Sequence, residues 1–255
     1  MKNYETLLKM GCFTWDELCA VIGNKNTAST IIQSYVKKGY IQNVKRGLYV
    51  ALDLSNNEPV VSKFHIAGRV TASAYVSHHS AFEYYGCANQ VSYNVEVSSE
   101  TKFNTFEFNG NTYSYMTSRI PVGITTVNDV RITDKERTVL DGINDFERVM
   151  GLEELLRCID MVSVLNEDKL LSYLGVFNKQ ALYQKTGYIL GHYKDSLGLS
   201  NEFFKQCEEK IGKSKRYFSS SGEVGQKYNS RWRLVVPKNL MAITQKGAFE
   251  VDAEL

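Results

Sequence analysis

A chain of 255 residues, 43% of them hydrophobic, has room for a small module plus a mid-sized domain, or for one larger domain. Its first thirty residues lack the basic, apolar, small-residue order of a signal peptide, and no apolar run approaches the roughly 18 residues of a membrane span, so we expect a cytoplasmic protein with no membrane partner. The net charge of +2 is unevenly spread: residues 1–52 carry seven Lys or Arg against three acids and residues 213–238 seven against one, around an acidic 53–212 with 15 against 21.

In chain order, Leu7, Leu8 and Met10 lie in a short amphipathic stretch closed by Gly11. Thr14 followed by Glu17 is a capping box, each side chain satisfying a backbone N–H that the helix start leaves free. It predicts a helix from about Asp16 to Ile22 with Leu18, Cys19 and Ile22 facing inward and Gly23 as its stop. After the polar turn Asn24-Lys25-Asn26, a second helix is predicted over Thr27–Lys38. Ala28, Ile31, Ile32, Tyr35 and Val36 form its buried stripe, and Ser29, Thr30, Gln33, Ser34 and Lys37 its exposed side. Past Gly39, the β-prone runs 40–44 and 48–52 predict a hairpin with the basic tip Lys45-Arg46-Gly47, in which Gly47 supplies a positive φ.

The polar run 53–59, closed by Pro59, places a domain boundary there, dividing the chain into 1–55 and 60–255. In the second part Thr71–Tyr85 reads as a helix ending at Gly86. Val91–Val97, Phe103–Phe108 and Thr112–Thr117 read as strands, with Gly110 in a turn. Asp134–Ile143 is predicted helical, as are segments within 151–161, 167–174, 179–193 and 200–211. The alternating Arg231–Val236 is predicted to close the domain as a strand. The expected class is α+β: an N-terminal winged helix-turn-helix followed by a larger mixed α/β domain.

The five cysteines form no CxxC pair, and none of His65, His78, His79 and His192 has the i, i+4 spacing that sets two imidazoles on one helix face, so neither a disulfide framework nor a metal site is suggested. No cofactor is indicated. His78 and His79 beside Ser77 and Ser80 lack an orienting third group, and packing or capping is the expected role. Among Asp134, Glu136, Arg137 and Asp141, the last two are spaced for an i, i+4 ion pair, and Asp134 suits a cap.

Helix, turn, helix and basic-tipped hairpin is the order of a winged helix-turn-helix, whose second helix enters the major groove N-terminal end first. Asn26, Thr27, Ser29, Thr30 and Gln33 offer groups for bases or phosphates, with Lys25, Lys37, Lys45 and Arg46 nearer the backbone. Between Leu18 and Leu52 there is no Asp or Glu against five basic residues, as a phosphate-facing surface requires. The plainer alternative is a protein-interaction module whose lysines favour the helix dipole.

Arg46-Gly47-Leu48-Tyr49-Val50, the run 74–81 leading into Glu83-Tyr84-Tyr85-Gly86, and the run Thr133–Asp141 together resemble the AbiEi-type antitoxins of abortive-infection, type IV toxin-antitoxin systems. The resemblance covers roughly the first 145 residues. It implies an N-terminal module that binds inverted repeats in its own promoter and represses the operon. It also implies a C-terminal domain that counteracts a cognate nucleotidyltransferase-like toxin. Two-fold operators imply a dimer or cooperative monomers on DNA.

The basic residues Lys213, Lys215, Arg216, Lys227, Arg231 and Arg233 are interleaved with Tyr217, Phe218, Tyr228 and Trp232, a composition that suits a second DNA or partner surface. A solvated, ion-paired rim is the alternative. The competing functional class, a nuclease-like enzyme with a DNA-targeting module, would show a paired-carboxylate metal motif or a phosphate-cradling GxxxxGK loop. The sequence has neither.

Overall fold

The computed structural model describes residues 2–118, 120–218 and 226–245, and over these the fold is mixed α and β. Helix α1 (Lys2–Met10) ends where Gly11, at φ +63°, donates its N–H to the Leu7 carbonyl. Strand β1 (Cys12–Thr14) leads into α2 (Trp15–Ile22), and the capping box is present in full. The Thr14 hydroxyl oxygen accepts from the Glu17 N–H at 3.3 Å, and the Glu17 carboxylate accepts from the Thr14 N–H at 2.7 Å. Gly23 closes α2 in the left-handed region at φ +76°, where a side chain would be strained.

Helix α3 (Lys25–Lys37) begins two residues before the expected start because Asn24 is its N-cap, accepting the Thr27 N–H at 3.0 Å. Strands β2 (Ile41–Lys45) and β3 (Leu48–Ala51) form the hairpin, and the three strands pair antiparallel in the order β1-β3-β2. Leu7, Phe13, Leu18, Ala28, Ile31, Ile32 and Ile41 make one buried cluster between these helices and strands. Val36, expected in that cluster, is 43% exposed. At about 100° per residue it lies roughly 80° round the helix from Ala28, at the margin of the buried stripe.

Burial pushes the Glu17 carboxyl up, but hydrogen bonds from Arg69 and from Thr14 outweigh it and hold the group below the ordinary carboxylate range. A depressed folded-state pKa stabilises above the unfolded value, about 4.3, and that contribution is lost as pH falls through the folded value. Glu17→Gln is therefore expected to flatten the fall in melting temperature on acidification below about pH 4.5. Parallel acid limbs for the two proteins would contradict this.

Helix α4 (Lys63–Ala67), strand β4 (Tyr75–Val76) and helix α5 (His78–Tyr84) follow. The single helix expected over Thr71–Tyr85 is thus divided. Tyr75 and Val76 pair with strands on either side, and the helix starts only at His78. Buried β-prone side chains at 75 and 76 and a hydrogen bond between the Thr71 and Ser99 hydroxyls override the helical spacing. Gly86, at φ +70°, follows the helix as expected.

Strands β5 (Asn94–Ser99), β6 (Phe106–Phe108), β7 (Asn111–Thr117), β8 (Ile124–Val127) and β9 (Val130–Thr133) join β4 in a mixed six-stranded sheet of order β6-β7-β5-β4-β9-β8. The pairs β7–β5 and β4–β9 are parallel, and β6–β7 and β5–β4 antiparallel.

Helices α6 (Lys135–Asn144), α7 (Leu152–Met161), α8 (Glu167–Phe177), α9 (Gln180–Leu190) and α10 (Asn201–Glu209) coincide with the expected helical segments. Their apolar faces share a core with Trp232, Leu234 and Val236. Strands β10 (Arg216–Tyr217), β11 (Gln226–Asn229) and β12 (Leu234–Pro237) form a small sheet of order β10-β12-β11, and α11 (Ala242–Gln245) ends the described chain. The strand expected over Arg231–Val236 starts later. Asn229 accepts the Trp232 N–H at 3.0 Å, turning the chain so that residues 231–233 connect the two strands. Residues 246–255, the end of the expected second domain, lie outside the described residues.

The chain divides into two compact units. One comprises Met1–Val76, Ser92–Arg119 and Thr125–Ile132; the other comprises Ser77–Val91, Ile120–Ile124 and Thr133–Leu255. The polar run 53–59 is a local turn, with the Asp53 carboxylate accepting from Ser55, a Leu52–Pro59 bridge, and the Val60 N–H returning to the Ala51 carbonyl. Both sides of it belong to the first unit, so the elements up to residue 55 share that unit with most of the six-stranded sheet. No helix among the described residues is long and apolar enough to cross a membrane.

Candidate nucleic-acid interface

The buried stripe of α3 fixes which side chains face outward. Lys25, Asn26, Thr27, Thr30, Gln33 and Lys37 are all exposed, and Ser29 is half-buried. The helix start is held by Asn24, whose side chain receives both the N–H and the hydroxyl of Thr27, and the Thr30 hydroxyl donates to the Asn26 carbonyl at 3.0 Å. Lys38 at the C-cap and Gln42 and Asn43 on β2 are also exposed. Lys38 belongs to the acid-free run of the sequence, whereas no sequence signal marks the two β2 residues.

At the hairpin tip, Gly47 sits at φ +80° and its carbonyl accepts the Trp15 N–H at 3.0 Å, tying the turn to the start of α2. Arg46 projects into solvent. Lys45 does not: its ammonium donates to the Val70 carbonyl at 3.3 Å and lies 5.3 and 5.7 Å from the Phe103 and Phe106 ring centres. Burial lowers its pKa accordingly. The two basic residues expected to act together are thereby separated into an inward and an outward cation. Arg46→Ala is expected to reduce the log-log salt slope of duplex binding by about 0.9, the share of one phosphate contact, whereas Lys45→Ala leaves the slope unchanged. Titrations of a labelled duplex at several salt concentrations check this, and equal effects of the two substitutions would contradict it.

The six C-terminal basic residues also divide. Arg231 is paired with Glu208 at 2.6 Å over the Trp232 ring, and Arg233 donates to the Gly212 carbonyl. Lys213, Lys215, Arg216 and Lys227 are exposed. Lys215 stands 5.4 and 5.8 Å from the ring centres of Tyr217 and Tyr228, which are 60% and 53% exposed.

The residues weighed for catalysis are held in structural contacts. Asp134 caps α6 by accepting the Arg137 N–H and also takes Lys169 and Tyr173; Glu136 accepts the Asn166 N–H; Asp141 pairs with Arg137 at 2.9 Å. His78 Nδ1 lies 2.9 Å from the Ser77 hydroxyl, and His79 is fully buried against Glu154. Four of the five cysteines are buried, and all are free thiols.

No protein-family model matches the chain. No curated protein matches it either. Among solved structures, the fold is similar to the crystal structure of the RV2827C protein from Mycobacterium tuberculosis, with a TM-score of 0.63 at 11% identity, over 96% of this chain and 93% of that one. The likeness is one of fold.

Proposed function

We propose that the chain is a duplex-DNA-binding antitoxin and repressor, with residues 1–55 acting as a winged helix-turn-helix and α3 as the helix that enters the major groove. The observation that carries this reading is the exposed face of α3. Lys25, Asn26, Thr27, Thr30, Gln33 and Lys37 stand clear of the chain's own packing, and the hairpin tip presents Arg46 to solvent. Small polar side chains there allow close approach to base edges, and the lack of acids from Leu18 to Leu52 removes repulsion from phosphates.

The resemblance to AbiEi-type antitoxins supplies the biological context. It suggests inverted repeats in the chain's own promoter as operator, bound by a dimer or cooperative monomers, and a nucleotidyltransferase-like toxin as the opposed partner. The protein is then a non-enzymatic cytoplasmic regulator needing no cofactor for DNA binding. Titrating the promoter duplex and a shuffled duplex of equal length with the full chain tests the first half. Promoter affinity at least about a thousandfold above the shuffled control is expected, and equal affinities would reject the repressor reading. Co-expression with the product of the adjacent gene tests the second: growth inhibition relieved by the full chain is expected, and inhibition unrelieved by it would reject the antitoxin role.

A further inference from the structure

Glu154 and Cys158 stand four residues apart on α7, so both leave the same helix face, and His79 of α5 meets them. The three residues are 3%, 0% and 0% exposed. Glu154 Oε1 lies 3.2 Å from His79 Nε2 and 3.5 Å from Cys158 Sγ, and one ligand atom from each residue falls within 4.8 Å of the others.

As a hydrogen-bonded cluster, this arrangement is unbalanced. Glu154 Oε1 receives the N–H groups of Asn89 at 3.0 Å and Gln90 at 3.1 Å in addition to His79 and Cys158, four donors on one oxygen. Its twin Oε2 and His79 Nδ1 are buried without a hydrogen-bond partner. A buried carboxylate in such surroundings calls for a compensating positive charge. A divalent cation supplies it: one thiolate, one carboxylate and one neutral imidazole around the ion sum to zero charge. Two of the three ligand edges also fit, since tetrahedral bonds of about 2.0–2.1 Å to N and O and 2.3 Å to S set N–O and S–O edges near 3.3 and 3.5 Å, against 3.2 and 3.5 Å here.

We propose that His79, Glu154 and Cys158 bind one zinc-class divalent ion that ties α5 to α7, leaving the fourth tetrahedral position to a further donor. Thiolate and imidazole ligands select zinc over calcium or magnesium. The site is independent of the DNA reading and stands or falls without it.

The test uses the full chain purified from zinc-supplemented cells. About one zinc per chain is expected by elemental analysis after gel filtration, with a melting temperature that falls on chelation and recovers on adding zinc. Cobalt added to the stripped chain is expected to give the near-ultraviolet thiolate-to-cobalt band, lost in Cys158→Ser and kept in Cys207→Ser, whose thiol is buried elsewhere in the fold. Metal content and the chelation shift are read on the unsubstituted chain, so a variant that fails to fold does not decide the outcome. A folded chain that holds less than about a tenth of an ion and whose melting temperature neither chelator nor zinc moves would overturn the proposal.

Discussion

Replacing Arg137 with alanine is expected to destabilise the second unit by about 3–5 kcal/mol, the range for removing one partner of a buried, hydrogen-bonded ion pair. The guanidinium, with only 5% of its side chain exposed, donates from Nε to Asp141 at 2.9 Å and from Nη1 to the Ile120 and Val122 carbonyls at 3.0 and 2.7 Å, over the Phe177 ring. Alanine would strand the Asp141 carboxylate and leave two carbonyls short of a donor. Gly123 belongs to the same arrangement, since a Cβ there would stand 2.6 Å from that of Arg137. Urea unfolding followed by Trp232 fluorescence in a Trp15→Phe background measures the loss. The double replacement Arg137→Met with Asp141→Leu is expected to recover most of it, because two apolar groups leave no orphaned charge. A single-site loss under about 1 kcal/mol would show that the pair is not a structural centre of this unit.

Placing carboxylates on the outer face of α3 is expected to abolish duplex binding without unfolding the chain. Thr30 and Gln33 are exposed and lie three residues apart on one face. Glutamate is a good helix former, and neither site contributes to the core. Thr30→Glu with Gln33→Glu sets two negative charges against phosphates and base acceptors, and like-charge juxtaposition of this kind costs several kcal/mol, a loss in affinity of about 100-fold or more. Thr30→Ala with Gln33→Ala removes contacts without adding repulsion and is expected to have a smaller effect, weighted toward specific over shuffled DNA. If the double glutamate variant melts like the parent and binds DNA equally well, α3 is not the groove element.

Local chemistry makes most of the helices legible in the sequence. The Thr14–Glu17 capping box, the apolar stripe through Ala28, Ile31 and Ile32, and the glycines after α2 and α5 act within a few residues and mark their elements directly. The Arg137–Asp141 pair was legible for the same reason. Non-local pairing was not. Tyr75 and Val76 are drawn into strand by β5 and β9, which come from 94–99 and 130–133, and no periodicity around residue 75 records those partners. Lys45 read as a free cation because its acceptor, Val70, and the rings of Phe103 and Phe106 are distant in sequence. The His79–Glu154–Cys158 cluster leaves no trace in histidine pairs or CxxC spacing, because one helix supplies two unlike ligand types and another supplies the third.

Amide hydrogen exchange of the full chain with and without promoter duplex tests whether α3 and the hairpin tip meet DNA. Slowed exchange concentrated over Lys25–Lys37 and the Arg46–Gly47 turn is expected. Tight binding to that duplex with exchange unchanged across both segments would contradict it.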